Sequence, residues 1–338
     1  MASLSLDPRL SVNASYHHHH GALVEEIQGL IRVHKDGHVE RPPIITNVPC
    51  SIPSELRVLS RDIVINKFTN LWARVYVPQG QRNHLPLVVY FHGGGFCVGS
   101  AAWSCYHDFI ANLASKAGCV VISVNYRLAP ENRLPAAYED GYNTIMWVKE
   151  QASVSGGSKE NYWWLNCCNV SDFFLAGDSA GANIAHNVAL RFGASREAIL
   201  RPLSHRGTIL IQPFFGGEAR TSSEKAPQPR GSALTLSAAD TYWRLSLPVG
   251  SSREHLWCNP LANLKRIELP ATMVCVSDMD ILMDRNKEFC SAMVKADNKV
   301  KMMVYKGVGH AFQILNSSPL SKARTQEMMA HFKTFIHS

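Results

Sequence analysis

The chain has 338 residues, 46% of them apolar and 18% charged, and carries a formal charge of +7. That composition can fill one large buried core, and the positive charge is spread without a block of Lys or Arg or a basic stripe among aromatics, which argues against a nucleic-acid partner. Nine cysteines (50, 97, 105, 119, 167, 168, 258, 275 and 290) form no C-x-x-C pair and no zinc spacing, so free thiols in a reducing compartment are expected, with no metal or cofactor implied.

The first twenty residues hold Asp7, Arg9 and a polar Ser11 to Ser15 stretch, and no apolar run there could serve as a secretory leader. Cytoplasmic residence is the expectation. Asn13-Ala14-Ser15 fits a glycosylation acceptor and His17 to His20 could bind metal in isolation, but both read as parts of a solvated tail or a remnant tag. No apolar run approaches the roughly 20 residues of a membrane span, so no membrane partner is expected.

From Val58 to Ile65 and from Leu71 to Val77 the pattern predicts a hairpin around a polar turn. Leu87 to Phe91, Val120 to Tyr126, Phe173 to Ala176, Thr208 to Ile211, Met273 to Val276 and Met302 to Tyr305 are short and β-rich, and most are apolar at every position, as central parallel strands are. Between them, Pro135 to Gln151, Ala182 to Arg191, Asp284 to Ala296 and Lys322 to His337 repeat apolar residues at three and four, the period of an amphipathic helix. This alternation predicts an α/β fold with a mostly parallel sheet covered by helices on both faces. The segment up to about Ile52 and the segment from Phe214 to Leu256 fit the alternation poorly, and both are assigned to a cap on a single domain.

Gly177-Asp178-Ser179-Ala180-Gly181 falls between the strand ending at Ala176 and the helix expected near Ala182. In that context the pattern reads as a nucleophile elbow, whose tight strand-to-helix turn requires glycines and lifts the serine hydroxyl toward a substrate carbonyl. Read alone, it could be a Gly-rich turn with a serine helix cap. His92-Gly93-Gly94-Gly95-Phe96 follows the strand ending at Phe91, where this architecture places an oxyanion loop. Backbone N–H groups of Gly94 and Gly95, with Gly93 shaping the loop, would join that of Ala180 in holding an oxyanion.

A serine nucleophile needs a base and an orienting acid, which follow it on loops after late strands. His310, in the Gly-flanked loop after the last strand, takes the base position. Loop geometry favours Asp278 or Asp280 over Asp284 as the acid, because Asp284 falls in the first turn of the next helix, and spacing does not separate the first two. Asp178 is read as a structural partner for nearby backbone or basic groups, Arg127 and Glu131 as braces of their loop, and Trp103, Tyr106, Phe214, Phe215, Tyr242 and Trp243 as packing or pocket lining.

HGGGF, Tyr126-Arg-Leu-Ala-Pro-Glu131, GDSAGAN and Asp280-Ile-Leu-Met-Asp-Arg285 together resemble the plant carboxylesterases of the hormone-sensitive-lipase family, from about Val24 to the C-terminus. The resemblance implies the α/β-hydrolase fold, an N-terminal lid segment, a small-molecule ester substrate, and a triad of Ser179, Asp280 and His310, since the acid of that family is the first Asp of its D-x-L-x-D-R pattern. The same family contains gibberellin receptors, which lack the catalytic histidine and carry Ser at the third glycine of HGGG. This chain keeps His310 and Gly95, so the resemblance favours hydrolysis over a receptor-like binding protein. A dehydratase and enzymes that cyclise or rearrange plant metabolites also belong to the family, which keeps a lyase or cyclase using the same triad as an alternative.

Overall fold

The structure, a computed structural model, describes residues 21–80, 84–153, 163–194, 197–229, 231–263, 268–315 and 318–338. The acceptor pattern at Asn13 and the run His17 to His20 lie outside the described residues. The chain divides into two compact units, Met1–Pro42 and Pro43–Ser338. In the first, β1 (Leu23–Ile27), β2 (Ile31–His34) and β3 (Val39–Glu40) form a small antiparallel sheet. Its two turns, at Gly29 and Gly37, use positive φ, which glycine adopts without a Cβ clash.

The second unit is built on an eight-stranded sheet. In chain order its elements are β4 (Val58–Asn66), β5 (Leu71–Pro78), β6 (Leu85–Phe91), α1 (Ser104–Ala117), β7 (Val120–Asn125), α2 (Ala136–Ser153), β8 (Cys168–Asp178), α3 (Ala180–Ala194), β9 (His205–Ile211), α4 (Ser222–Lys225), α5 (Leu236–Ser246), β10 (Ala271–Ser277), α6 (Met283–Lys295), β11 (Val300–Tyr305), α7 (Phe312–Leu315) and α8 (Pro319–Ile336). The strand order is β11-β10-β9-β8-β6-β7-β5-β4, parallel from β11 to β7 and antiparallel where β5 meets β7 and β4. The expected strands and hairpin are all present.

Burial on both faces explains the unbroken apolar runs. Val88, Tyr90, Val121, Phe174, Ala176, Ile209, Met273 and Cys275 join α1 and α8 in one continuous core. The alternate residues Leu87, Val89 and Phe91 are buried on the opposite face, where Phe91 and Val188 of α3 press on Gly141 of α2. Removing so much apolar surface from water is the main force holding the sheet between its helices.

One helix of the alternation escaped the periodicity, and another starts earlier than expected. Helix α1 buries Tyr106, Phe109, Ile110, Leu113, Ala114 and Ala117 at helical spacing and stops where Gly118 turns left-handed, its N–H donating to Ala114 O at 3.0 Å. Its polar residues His107 and Asp108 interrupt the stripe, and His107 is itself buried, against Arg74 and Tyr76. Helix α3 begins at Ala180 rather than near Ala182, because it starts directly from the turn at Ser179. No helix among the described residues is long and apolar enough to cross a membrane. All nine cysteines are free thiols, with Cys97, Cys119, Cys168, Cys258, Cys275 and Cys290 buried.

Candidate active site

Ser179 sits between β8 and α3 with φ of 52°, a left-handed conformation that a residue with a Cβ seldom adopts. Close backbone packing enforces this turn. A Cβ on Gly177 would lie 2.4 Å from the Gly181 backbone, and one on Gly181 would lie 1.9 Å from the Phe91 carbonyl oxygen. The Ser179 N–H donates to Ile211 O at 2.8 Å, and the Ser179 carbonyl accepts from Phe214 N–H at 3.0 Å, which fixes the elbow to the end of β9.

The turn brings its hydroxyl to His310, whose Nε2 lies 2.9 Å from Ser179 Oγ. On the other side of the ring, Nδ1 is 2.7 Å from Asp280 Oδ2. The second Asp280 oxygen accepts the Leu282 N–H at 3.0 Å, so the carboxylate is held at both ends. The Asp278 carboxylate instead accepts the Gly307 N–H at 2.7 Å, and that of Asp284 accepts the Ser223 N–H at 2.8 Å. Of the three aspartates, geometry therefore joins Asp280 to His310. Burial opposes a charge on the imidazole, but Asp280, through its charge and its hydrogen bond, and more weakly Asp178 outweigh it and raise the pKa of His310 above 6.5.

Asp178 is buried and meets one backbone partner, as expected, but two tyrosines take the place of a basic group. Its carboxylate accepts hydrogen bonds from Tyr90 Oη at 2.8 Å, Tyr106 Oη at 2.9 Å and the Gly93 N–H at 3.1 Å. Burial pushes its pKa up to about 6, against the opposing pull of the two tyrosines, His310 and Gly93. Tyr106 also accepts from the Gly93 N–H at 2.7 Å. Nothing in the sequence distinguished Tyr90 and Tyr106 from ordinary core aromatics.

The Gly93 N–H is thus turned into the protein. Gly94 and Gly95 have φ of 115° and 59°, and among the described residues neither their N–H groups nor that of Ala180 donates a hydrogen bond. A Cβ on Gly94 would strike Val98 O at 2.1 Å, and one on Gly95 would strike the Tyr242 ring at 2.2 Å. The preceding His92 is stacked on Tyr126 with ring centroids 4.3 Å apart, its pKa lowered to about 4 by burial, so it stays neutral as a wall of the loop.

Segment 214–256 is anchored beside these groups. Arg285, next to the Asp280 loop, pairs with Glu224 at 3.1 Å with both side chains buried, and Ser223 Oγ donates to Ile281 O at 3.0 Å. Phe214 stacks on Trp243 at 4.6 Å. Arg127 braces its loop as expected, through Asp140 at 2.8 Å. Gln212, which the sequence reading passed over, bonds to the residues on either side of His310. No group of His, Cys, Asp and Glu among the described residues could hold a metal ion.

Residues 88–314 match the family described as the alpha/beta hydrolase fold. The chain is 48% identical to a probable carboxylesterase of Arabidopsis thaliana over 94% of its own length and 93% of that protein's. It is 35% identical to a gibberellin receptor of the same plant, covering 79% of this chain and 78% of the receptor. Among solved structures it resembles an esterase of Pyrobaculum calidifontis, with TM-score 0.66 and 28% identity over 82% of this chain and 85% of that one.

Proposed function

This chain belongs to the alpha/beta hydrolase fold family and is a carboxylic ester hydrolase, and we propose that it cleaves small esters through an acyl-enzyme formed on Ser179. The observation that carries the proposal is the unbroken line from Ser179 Oγ through both nitrogens of His310 to the Asp280 carboxylate. In it, His310 Nε2 removes the hydroxyl proton as Oγ attacks the ester carbonyl. Asp280 keeps the other proton on Nδ1, leaving Nε2 free to accept, and stabilises the imidazolium that forms. The same imidazolium then protonates the departing alcohol, and water releases the acid by the reverse route.

The developing oxyanion falls to the N–H groups of Gly94, Gly95 and Ala180, which no described residue otherwise occupies. Gly93 shapes the loop and donates to Asp178 and Tyr106 instead. Each oxyanion donor contributes about 3 kcal/mol to the barrier reduction. Segment 214–256 serves as a cap on the catalytic unit, supported by the close approach of the Tyr242 ring to Gly95. A cytoplasmic location fits the nine free thiols.

The test is nitrophenol release from p-nitrophenyl acetate and butyrate by the wild type, Ser179→Ala and His310→Ala. Both variants should lose at least roughly 10⁴-fold in turnover. A wild type no faster than its variants would return the protein to the receptor-like or lyase reading.

A further inference from the structure

We propose that Gln212 is a positioning residue for the base, setting the height and tilt of the His310 loop over Ser179. The inference rests on the triad proposed above. Gln212 follows β9 immediately, is 1% exposed and has φ of 46°, so its backbone is held left-handed at a buried position. Its side chain reaches the loop on both sides of His310. Oε1 accepts the Ala311 N–H at 2.7 Å, while Nε2 donates to the Gly309 carbonyl at 3.1 Å and to Ser277 Oγ at the end of β10.

The orientation of this amide follows from its partners, since an N–H can only donate and a carbonyl can only accept. A side chain here must therefore present both a donor and an acceptor at the same reach, which a glutamine amide supplies at any pH and a glutamate only when protonated. Asp280 fixes the rotation of the imidazole about its own bonds, but it does not hold the loop backbone that carries the ring. Gln212 does. The dipeptide Ile211-Gln212 also holds the nucleophile, because the Ile211 carbonyl accepts the Ser179 N–H at 2.8 Å, and the Gln212 N–H is tied to Cys275 O at 2.8 Å. One point in the sheet thus sets both ends of the Ser179–His310 distance. Ala311 is left-handed, with φ of 56°, a conformation a residue with a Cβ seldom adopts, at the point where Gln212 captures its N–H.

Displacing a reacting group by about 1 Å costs on the order of 10²-fold in rate. Gln212→Met, which keeps length and loses every side-chain hydrogen bond, should lower kcat about 10- to 100-fold with KM for p-nitrophenyl acetate within about twofold of wild type. Rates are taken per Ser179 titrated by an aryl phosphonate, so misfolded protein does not count. Gln212→Glu keeps the acceptor for Ala311 and sets a carboxylate against the Gly309 carbonyl; a protonated carboxyl can still donate to it. Its rate relative to wild type should rise as the pH falls from about 9 to about 6, a change that a purely structural role would not produce. Should Gln212→Met fail to fold, the Glu variant decides. Unchanged kcat per titrated serine, or a pH-independent ratio for Gln212→Glu, overturns the inference while leaving the triad standing. A Ser179→Ala control that keeps wild-type turnover overturns the triad and this inference with it.

Discussion

Asp178, the neighbour of the nucleophile, accepts a hydrogen bond from the Gly93 N–H at 3.1 Å, across 85 residues of chain. The elbow and the oxyanion loop are thereby tied through one buried carboxylate, with Tyr90 and Tyr106 closing the network. Such a charge is costly to bury unless its hydrogen bonds offset the lost hydration, and the rise of its pKa to about 6 shows that burial dominates.

A pH dependence of stability follows from that carboxylate. The native state holds its proton more tightly than the unfolded chain, whose carboxyl has the ordinary value of 3.8. Between 3.8 and about 6 the native state therefore binds more protons, so stability falls as the pH rises through that window. Asp178→Asn carries no such charge, and its Tm relative to wild type should shift upward between about pH 4 and about pH 7. Thermal melts across that range check it, and a constant difference would refute the buried charge.

The three aspartates after β10 should separate cleanly. Asp280→Asn leaves the shape of the site but allows the wrong His310 tautomer, and should lower kcat by about 10⁴-fold. Asp278→Asn, whose carboxylate caps the Gly307 N–H in an exposed loop, should stay within about threefold of wild type. Asp284→Asn should act on stability, by roughly 1 kcal/mol, through its bond to the Ser223 N–H. Esterase rates and melts on the three proteins distinguish these outcomes.

His310 must be neutral to take the Ser179 proton, so kcat/KM should climb with pH along a limb whose midpoint lies above 6.5. In Asp280→Asn the carboxylate no longer opposes burial, and the midpoint of the residual activity should fall. Because the folded pKa is raised, the proton on His310 stabilises the native protein at low pH, and that contribution is lost as the pH rises through the folded pKa. A midpoint unmoved by the substitution would remove His310 as the titrating base.

Gly95→Ser adds a Cβ at φ of 59°, in contact with the Tyr242 ring at 2.2 Å. The left-handed backbone alone costs about 1–2 kcal/mol, and the ring must also move. Turnover should fall at least about tenfold, and the loss should be smaller in a Tyr242→Ala background, with a coupling of about 1 kcal/mol or more. Additive losses would show that Tyr242 is not the obstacle.

Strand positions and the elbow were legible because each rests on short-range pattern: a strand buried on both faces is apolar throughout, and a turn with Phe91 O inside the volume of a Cβ at Gly181 admits only glycine. The choice between Asp278 and Asp280 was not legible from spacing, and only the family resemblance pointed to Asp280, because the choice depends on which carboxylate the loop turns toward His310. Spacing carries no information on that rotation. Helix α1 was hidden by His107, a polar residue on a buried face that is satisfied by Arg74, Tyr76 and the Ser51 carbonyl. Gln212, Tyr90 and the bond of Tyr106 to Asp178 were invisible for the same reason, since the partners lie in other strands and loops and nothing local announces them.

The buried thiols give the folded chain a chemical signature of its own. Burial pushes the pKa of Cys119, Cys168, Cys275 and Cys290 up to about 12, so at neutral pH almost no thiolate is present at these sites to react. On unfolding, the same sulfurs enter water with pKa near 8.5 and become open to alkylation. Mass added by iodoacetamide at these four positions therefore counts openings of the sheet and of the helices packed on it, and a ligand that tightens the native state should slow the alkylation clock without touching a single cysteine.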